Sequence, residues 1–263
     1  MPYNETLRAQ KKEVVTEDGS ITLYSCEFDE AYHSDKDGAL RESLQKHVIP
    51  ALTLKAHKTS VRILDICFGL GYNTLATLLY VRKHFPDLKV HILSPEMDET
   101  LVRSLKGFDY PAEFDTLKPM IDAISENFFF EDDRCKIEVI IGDARQIIPS
   151  FNAQEIKCDI IYQDAFSPRK NPLLWTREWF ADIRRICHED AMLTTYSTAA
   201  VTRMGLYENG FTLYEYQGSG VRKSMIASLT PLKRDILALK PIDMAHKIAA
   251  NPNARSLRDS ELS

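Results

Sequence analysis

Apolar positions along the chain fall into short β-like runs separated by longer stretches with helical spacing. Two β-prone arms flank Asp18-Gly19 between Lys11 and Ser25, which predicts an antiparallel hairpin. From Gly38 to about Leu54, positions Leu40, Leu44, His47, Val48 and Leu52 share one helical face, and Pro50 is expected to kink or end that helix. The pattern then switches to apolar runs at Val61–Phe68, Lys89–Glu96, Lys136–Ala144, Cys158–Phe166 and Ala191–Ser197, each predicting a strand. Helix-like segments lie between them. The clearest spans Thr176–His188, and "DTLKPMIDAISENFFF" reads as an inserted helix. Near the end, Gly210–Leu229 holds two strands broken only by Gly218-Ser-Gly220.

Strands alternating with helices predict right-handed βαβ crossovers and a parallel sheet covered on both faces. A closing antiparallel hairpin is expected of Rossmann-like methyltransferases rather than of dinucleotide-binding domains. The expected fold is therefore α/β: a class I S-adenosylmethionine (SAM)-dependent methyltransferase with a mostly parallel seven-stranded sheet, a terminal antiparallel hairpin and a small N-terminal β-hairpin extension. The expected boundaries are 1–55 for the extension of hairpin and helix, 56–240 for the main domain, and 241–263 for a tail, expected to be a loosely packed helix or partly disordered.

Composition narrows the class only modestly. The 263 residues are 44% hydrophobic and 27% charged, ordinary for a globular chain. No apolar run approaches the roughly 20 residues needed to cross a bilayer, and "MPYNETLRAQKK" lacks a signal-peptide core. Five scattered cysteines without a CxxC pair fit a reduced, cytoplasmic protein with no metal site. The net charge of −5 argues against a surface that coats nucleic acid generally. Local basic pairs at Arg169–Lys170, Arg184–Arg185, Arg222–Lys223 and Lys233–Arg234 leave room for phosphate contacts, or are solvated surface charge.

The informative residues are those that follow each strand, because ligands of doubly wound sheets lie outside the carboxyl ends. "DICFGLGYN" follows the first, from Asp65 to Asn73; Gly69 and Gly71 let backbone approach a ligand at a helix N-terminus. Glu96 follows the second, where a carboxylate accepts hydrogen bonds from ribose hydroxyls. Asp143 follows the third, ahead of Ala144; it suits an adenine amino group, or equally a helix N-cap. Together with Phe68, these positions favour SAM over a nicotinamide cofactor. Asp164 follows the fourth, within "DAFSPRKNPLLWT". Methyltransferases acting on amino nitrogens often place an acid or amide, a proline and an aromatic ring there, and Asp164, Phe166 and Pro168 supply them.

From the "TEDGSITLYS" hairpin to "GSGVRKSM", the chain resembles the methyltransferase module of the MnmC family, bacterial proteins that modify the tRNA wobble uridine. The strings "FGLGYNTL", "GDAR", "DAFSPRKNPLLWT" and "GSGVRKSM" carry the resemblance. It departs in one respect: Cys67 stands where many methyltransferases have the first glycine of the loop. Bifunctional members add an FAD-dependent oxidase module, for which 263 residues leave no room, so no FAD is expected.

The resemblance implies N-methylation of the 5-aminomethyl group of uridine 34 in tRNA, downstream of the enzymes that install that group. Asp164 would orient the amine or also accept its proton, and Phe166 would pack against the base or the methyl group. SAM would be held by Asp65, Phe68, Gly69, Gly71, Asn73, Glu96, Asp143, Ala144 and Asp164. Pro168, Arg169, Lys170, Tyr196, Arg222 and Lys223 would face the substrate or the anticodon stem-loop, and Ser197 would sit beside Tyr196. Three alternatives stand beside this: an aminopropyltransferase of the spermidine synthase type, a nicotinamide-dependent oxidoreductase, and a non-catalytic RNA-binding module.

Overall fold

A computed structural model describes residues 9–262. The chain opens with a small antiparallel sheet of β1 (Lys11–Val15), β2 (Ile21–Ser25) and β3 (Glu30–Ala31). Its β1–β2 turn is the one expected at Asp18-Gly19, with Gly19 at φ 83°. The Asp18 carboxylate accepts the Ser20 N–H within the turn and the Arg41 N–H of the next helix at 2.8 Å. The hairpin is thereby docked on that helix.

The helix, α1, covers residues 39–54 and is wound unevenly: α at Ala39–Glu42, π at Ser43–Val48, α again at Ile49–Leu54. Pro50, expected to kink or end it, does not end it, and the winding changes just before it. Proline offers no N–H to the carbonyl four residues back and its ring crowds that carbonyl, so the turn before it widens. Accordingly the Ile49 N–H reaches back five residues to the Leu44 carbonyl. The wide turn presents Lys46 and His47, both buried, to the interior.

The main sheet contains β4 (Ser60–Ile66), β5 (Lys89–Glu96), β6 (Phe129–Glu131), β7 (Cys135–Ile141), β8 (Cys158–Gln163), β9 (Cys187–Thr195), β10 (Thr212–Tyr216), β11 (Ser224–Ser228) and β12 (Lys240–Pro241). Their order is β12-β10-β11-β9-β8-β4-β5-β7-β6. The central run from β7 to β9 is parallel, and β11 pairs antiparallel with β9. All seven expected strands are present, but the sheet has nine because short edge strands β6 and β12 extend it. Two or three residues carry too little alternation to be read from sequence. The β6 residues fall by pattern within the expected inserted helix, which instead ends at Phe128 with φ 59° before the chain turns back along β7. The β10–β11 connection is also longer than the three residues expected, running over 217–223. It docks on α1 through the Ser219 N–H and the Gln45 side-chain oxygen, 3.0 Å apart.

Helices α2 (Tyr72–His84), α3 (Glu99–Ser104), α4 (Lys118–Asn127), α5 (Ala144–Ala153), α6 (Arg177–Arg185), α7 (Ala200–Glu208) and α8 (Met244–Ala250) cover the faces. Alternate residues of the central strands feed two cores: Ile63, Ile92 and Ile160 belong to one, and Leu64, Leu93 and Ile161 to the other. The switch point lies between β4 and β8, whose neighbours lie on opposite sides. The tail holds a helix, α8, and the described residues after it are tied back to the domain. Leu257 bridges Thr176, Arg258 reaches Glu178 at 2.7 Å, and Asp259 is bonded to Arg145. Such pairings join residues far apart in sequence, so no local pattern announces them.

Candidate active site at the carboxyl ends of the strands

The loop between β4 and α2 makes three turns with positive φ: Cys67 at 66°, Gly69 at 54° and Gly71 at 71°. Cys67 therefore adopts the left-handed geometry of the glycine it replaces, at a cost of about 1–2 kcal/mol for a residue with a Cβ. Gly71 is irreplaceable for a second reason: a Cβ there would stand 2.8 Å from the Phe68 ring. The Glu96 carboxylate at the end of β5 accepts the Gly69 N–H and the Asp98 N–H, each at 2.8 Å. It thus fixes the loop while lining a cavity of about 1060 Å³. Asp143 also lines that cavity and caps α5 by accepting the Arg145 N–H at 2.8 Å, so the N-cap role holds.

Asp164, the residue after β8, sits between Asn73 and His47. Asn73 Nδ2 donates to its Oδ2 at 2.8 Å, and His47 Nε2 lies 3.4 Å from its Oδ1. Burial pushes the Asp164 carboxyl up, but attraction from the His47 and His33 imidazoles and the Asn73 hydrogen bond outweigh it. The group is held below the usual carboxylate range. Its side chain is 11% exposed, enough to be reached from the cavity.

Asp65 is placed differently from expectation. It is fully buried, off the cavity lining, and accepts hydrogen bonds from Thr74 at 2.8 Å and Asn73 at 3.4 Å. Its role is to orient Asn73 from behind rather than to touch a ligand. Burial, with the Asp164 charge adding to it and the Thr74 bond opposing, raises its carboxyl to about 7.

Residues 115–231 match the model of a family described as S-adenosyl-L-methionine-dependent methyltransferases. The solved structure of MNMC2 from Aquifex aeolicus matches with a TM-score of 0.80 at 32% identity, covering 97% of this chain and 80% of that one. The chain belongs to the MnmC-type methyltransferase family. An uncharacterized protein of Methanocaldococcus jannaschii is 31% identical over 219 residues, 81% of this chain and 57% of that one. The Aeromonas hydrophila tRNA 5-methylaminomethyl-2-thiouridine biosynthesis bifunctional protein MnmC is 28% identical over 226 residues, 78% of this chain and 33% of that one. The chain thus spans little more than half of the first relative and a third of the second. Membership places the chain among SAM-dependent methyltransferases, which favours that reading over the aminopropyl-transfer and nicotinamide ones.

The residues of this MnmC-type site fit SAM. Gly69 lines the cavity, whereas Gly71 does not, and Asn73 Oδ1 is buried on the lining with no hydrogen-bond partner. Phe68, Glu96, Asp143 and Ala144 complete that side. Among the described residues no helix is long and apolar enough to cross a membrane, and no group of three His, Cys, Asp or Glu could hold a metal ion.

The opposite wall comes from the N-terminal segment, which no sequence motif ties to the site. Phe28 stacks on Phe166 with ring centroids 4.5 Å apart, and Tyr32 meets its edge at 4.9 Å. One face of Phe166 is therefore taken by Phe28, so the ring builds a wall rather than standing free for a substrate. Glu30 accepts both the Ser167 hydroxyl at 2.8 Å and its N–H at 3.1 Å, and Lys170 pairs with Asp29 at 2.6 Å. Tyr196 Oη donates to the Ala165 carbonyl at 2.9 Å, which commits its hydroxyl to the loop while its ring lines the cavity. Arg169 is exposed and on the lining, whereas Pro168 is not on it.

Three other expected substrate-side positions are placed differently from expectation. Arg222 lines the cavity but its guanidinium bonds the buried Asp37 at 3.0 Å and Ser34 at 2.9 Å. Lys223 lies off the lining and faces Glu215, and Ser197 is buried against Thr202. The site residues that the sequence alone does not single out are His47, His33, Glu30, Tyr32 and Phe28. For His47 a signal exists: it is an ionisable side chain on the otherwise apolar face of α1.

Proposed function

We propose that this protein transfers a methyl group from SAM to the primary amine of a 5-aminomethyl group on the wobble uridine of tRNA. The product would be 5-methylaminomethyluridine, with or without 2-thiolation. One observation carries the reading: an ionised carboxylate, Asp164, is held by Asn73 and His47 at the switch-point end of the cavity. An acceptor with that charge suits an alkylammonium. Carboxylates also outnumber Lys and Arg side chains along the lining, which favours a cationic group over an anionic one. The names of the relatives supply the tRNA context.

Bound SAM supplies a methyl group already activated on a sulfonium. The chain's own residues then have to align, desolvate and deprotonate. Glu96 would accept from the ribose hydroxyls and Asp143 from the adenine amino group. Asp164 receives the ammonium and aims its nitrogen; good positioning of this kind is worth on the order of 7–11 kcal/mol. The Phe28–Phe166–Tyr32 wall excludes water from the transfer path. A wobble base flipped out of its loop would rest near that wall, and exposed Arg169 would meet the flanking phosphate.

The test is Asp164→Ala assayed for two properties. SAM affinity should stay within about threefold, and methylation of tRNA carrying 5-aminomethyluridine should fall by roughly 100-fold or more. Near-normal methylation with intact SAM binding would defeat the assignment of Asp164.

A further inference from the structure

His47 is fully buried in the wide turn of α1, yet its two ring nitrogens face different kinds of partner. Nδ1 lies 2.8 Å from the Thr194 hydroxyl, a normal hydrogen bond. Nε2 is buried without a hydrogen-bond partner and points at Asp164 Oδ1 across 3.4 Å. That gap exceeds the 2.7–3.2 Å of an N–H···O bond. The Tyr162 ring, 5.6 Å away and edge-on, keeps the imidazole from swinging off this line.

We propose that His47 and Asp164 act as one proton acceptor for the substrate amine, with the proton coming to rest on His47 Nε2. This rests on the amine-methylation reading above. A carboxyl is far more acidic than an alkylammonium, so Asp164 alone does not keep a proton taken from one. Behind it, a nitrogen lone pair gives the proton a place to stay. The charged and titratable groups around the couple include Asp65 from β4, His33 after β3, Cys67 in the glycine loop, Tyr162 from β8 and Tyr196 after β9. His33 is pushed down by burial, and Cys67 is pushed well up by burial and the nearby carboxylates. Neither competes for the proton at neutral pH.

Bonds and electrons balance through the step. The ammonium N–H bond breaks as an Asp164 O–H bond forms; that bond then breaks as the His47 Nε2–H bond forms. An imidazolium is left beside a carboxylate. The amine nitrogen, now with a free lone pair, forms the new C–N bond while the methyl's bond to sulfur breaks and its electrons stay on sulfur. After the product leaves, the proton returns through the partly exposed Asp164 to water. His47 does not touch the substrate; it is a positioning residue that works through Asp164.

The experiment is imidazole nitrogen NMR on the full chain, followed by a pH profile. In the resting wild type, His47 should carry its proton on Nδ1 with Nε2 bare; an Nε2–H tautomer overturns the proposal. In Asp164→Asn, whose side-chain amide can donate to a bare Nε2, the His47 Nε2 signal should move on gaining that hydrogen bond. An unmoved Nε2 signal overturns it. With 5-aminomethyl tRNA, His47→Gln should lose at least about 100-fold in kcat with KM within roughly threefold, and should lose the acidic limb of the kcat profile. Retention of that limb, with kcat reduced equally at every pH, makes His47 structural only and overturns the proposal. If wild type itself fails to methylate this tRNA, the substrate reading falls, while the two NMR results still decide the couple.

Discussion

Glu30 of the N-terminal sheet accepts hydrogen bonds from both the hydroxyl and the backbone N–H of Ser167, 137 positions further along the chain. This contact pins the loop after β8 from the side opposite the sheet. The N-terminal segment is therefore part of the site: without it the loop that carries Asp164 and Phe166 has one wall instead of two.

Glu30→Ala should release that loop while leaving the glycine loop untouched. The expected result is a fall of about tenfold in kcat/KM for the tRNA substrate, in line with loss of a charge-assisted pair of hydrogen bonds. SAM affinity, measured by calorimetry, should stay within about twofold. Equal losses in both would show that Glu30 supports the fold at large.

Gly71→Ala tests the opposite side. The new Cβ would strain a φ of 71° and meet the Phe68 ring at 2.8 Å, so the ring must leave the SAM side of the cavity. SAM affinity should weaken by about tenfold or more, the equivalent of ~1.4 kcal/mol. Unchanged affinity would mean that the loop does not contact SAM.

Much of this loop is legible in the sequence. Glycines, Glu96, Asp143 and Asp164 follow strands whose apolar runs are plain, and the parallel order follows from alternating elements. What the sequence hides is non-local: Glu30 on Ser167, Phe28 on Phe166, and His47 behind Asp164 join segments more than a hundred residues apart. Asp65 misleads for a related reason. Its place beside the glycine loop suggests a ligand contact, but strand alternation turns it inward to Thr74 and Asn73. Cys67 shows the converse: its residue type argues against the glycine conformation that the surrounding loop nevertheless imposes.

Asp65 gives a pH-dependent signature. Its folded-state carboxyl lies at about 7 against an ordinary 3.8, so the folded protein binds this proton more tightly than the unfolded chain. The resulting stabilisation is fully present below pH 3.8 and is lost as pH rises through about 7. Asp65→Asn, neutral throughout and able to accept from Thr74, should gain on wild type across that window, by on the order of a few kcal/mol. Urea unfolding at several pH values reads the difference. A constant gap from about pH 4 to 8 would contradict the raised carboxyl.

For the basic residues, salt dependence separates phosphate contacts from internal pairs. Arg169→Ala should weaken tRNA binding and lower the log–log salt slope by about 0.7–0.9. Lys223→Ala, off the cavity and facing Glu215, should leave the slope unchanged. A reversed pattern would move the RNA path to the β10–β11 loop.

The most direct test is to incubate the purified protein with SAM and tRNA bearing 5-aminomethyluridine, digest the tRNA and analyse the wobble nucleoside by mass spectrometry. Conversion to 5-methylaminomethyluridine that requires SAM, and that disappears in Asp164→Ala, is the expected result. An unmodified wobble nucleoside in the presence of protein shown to bind SAM would contradict the proposed function.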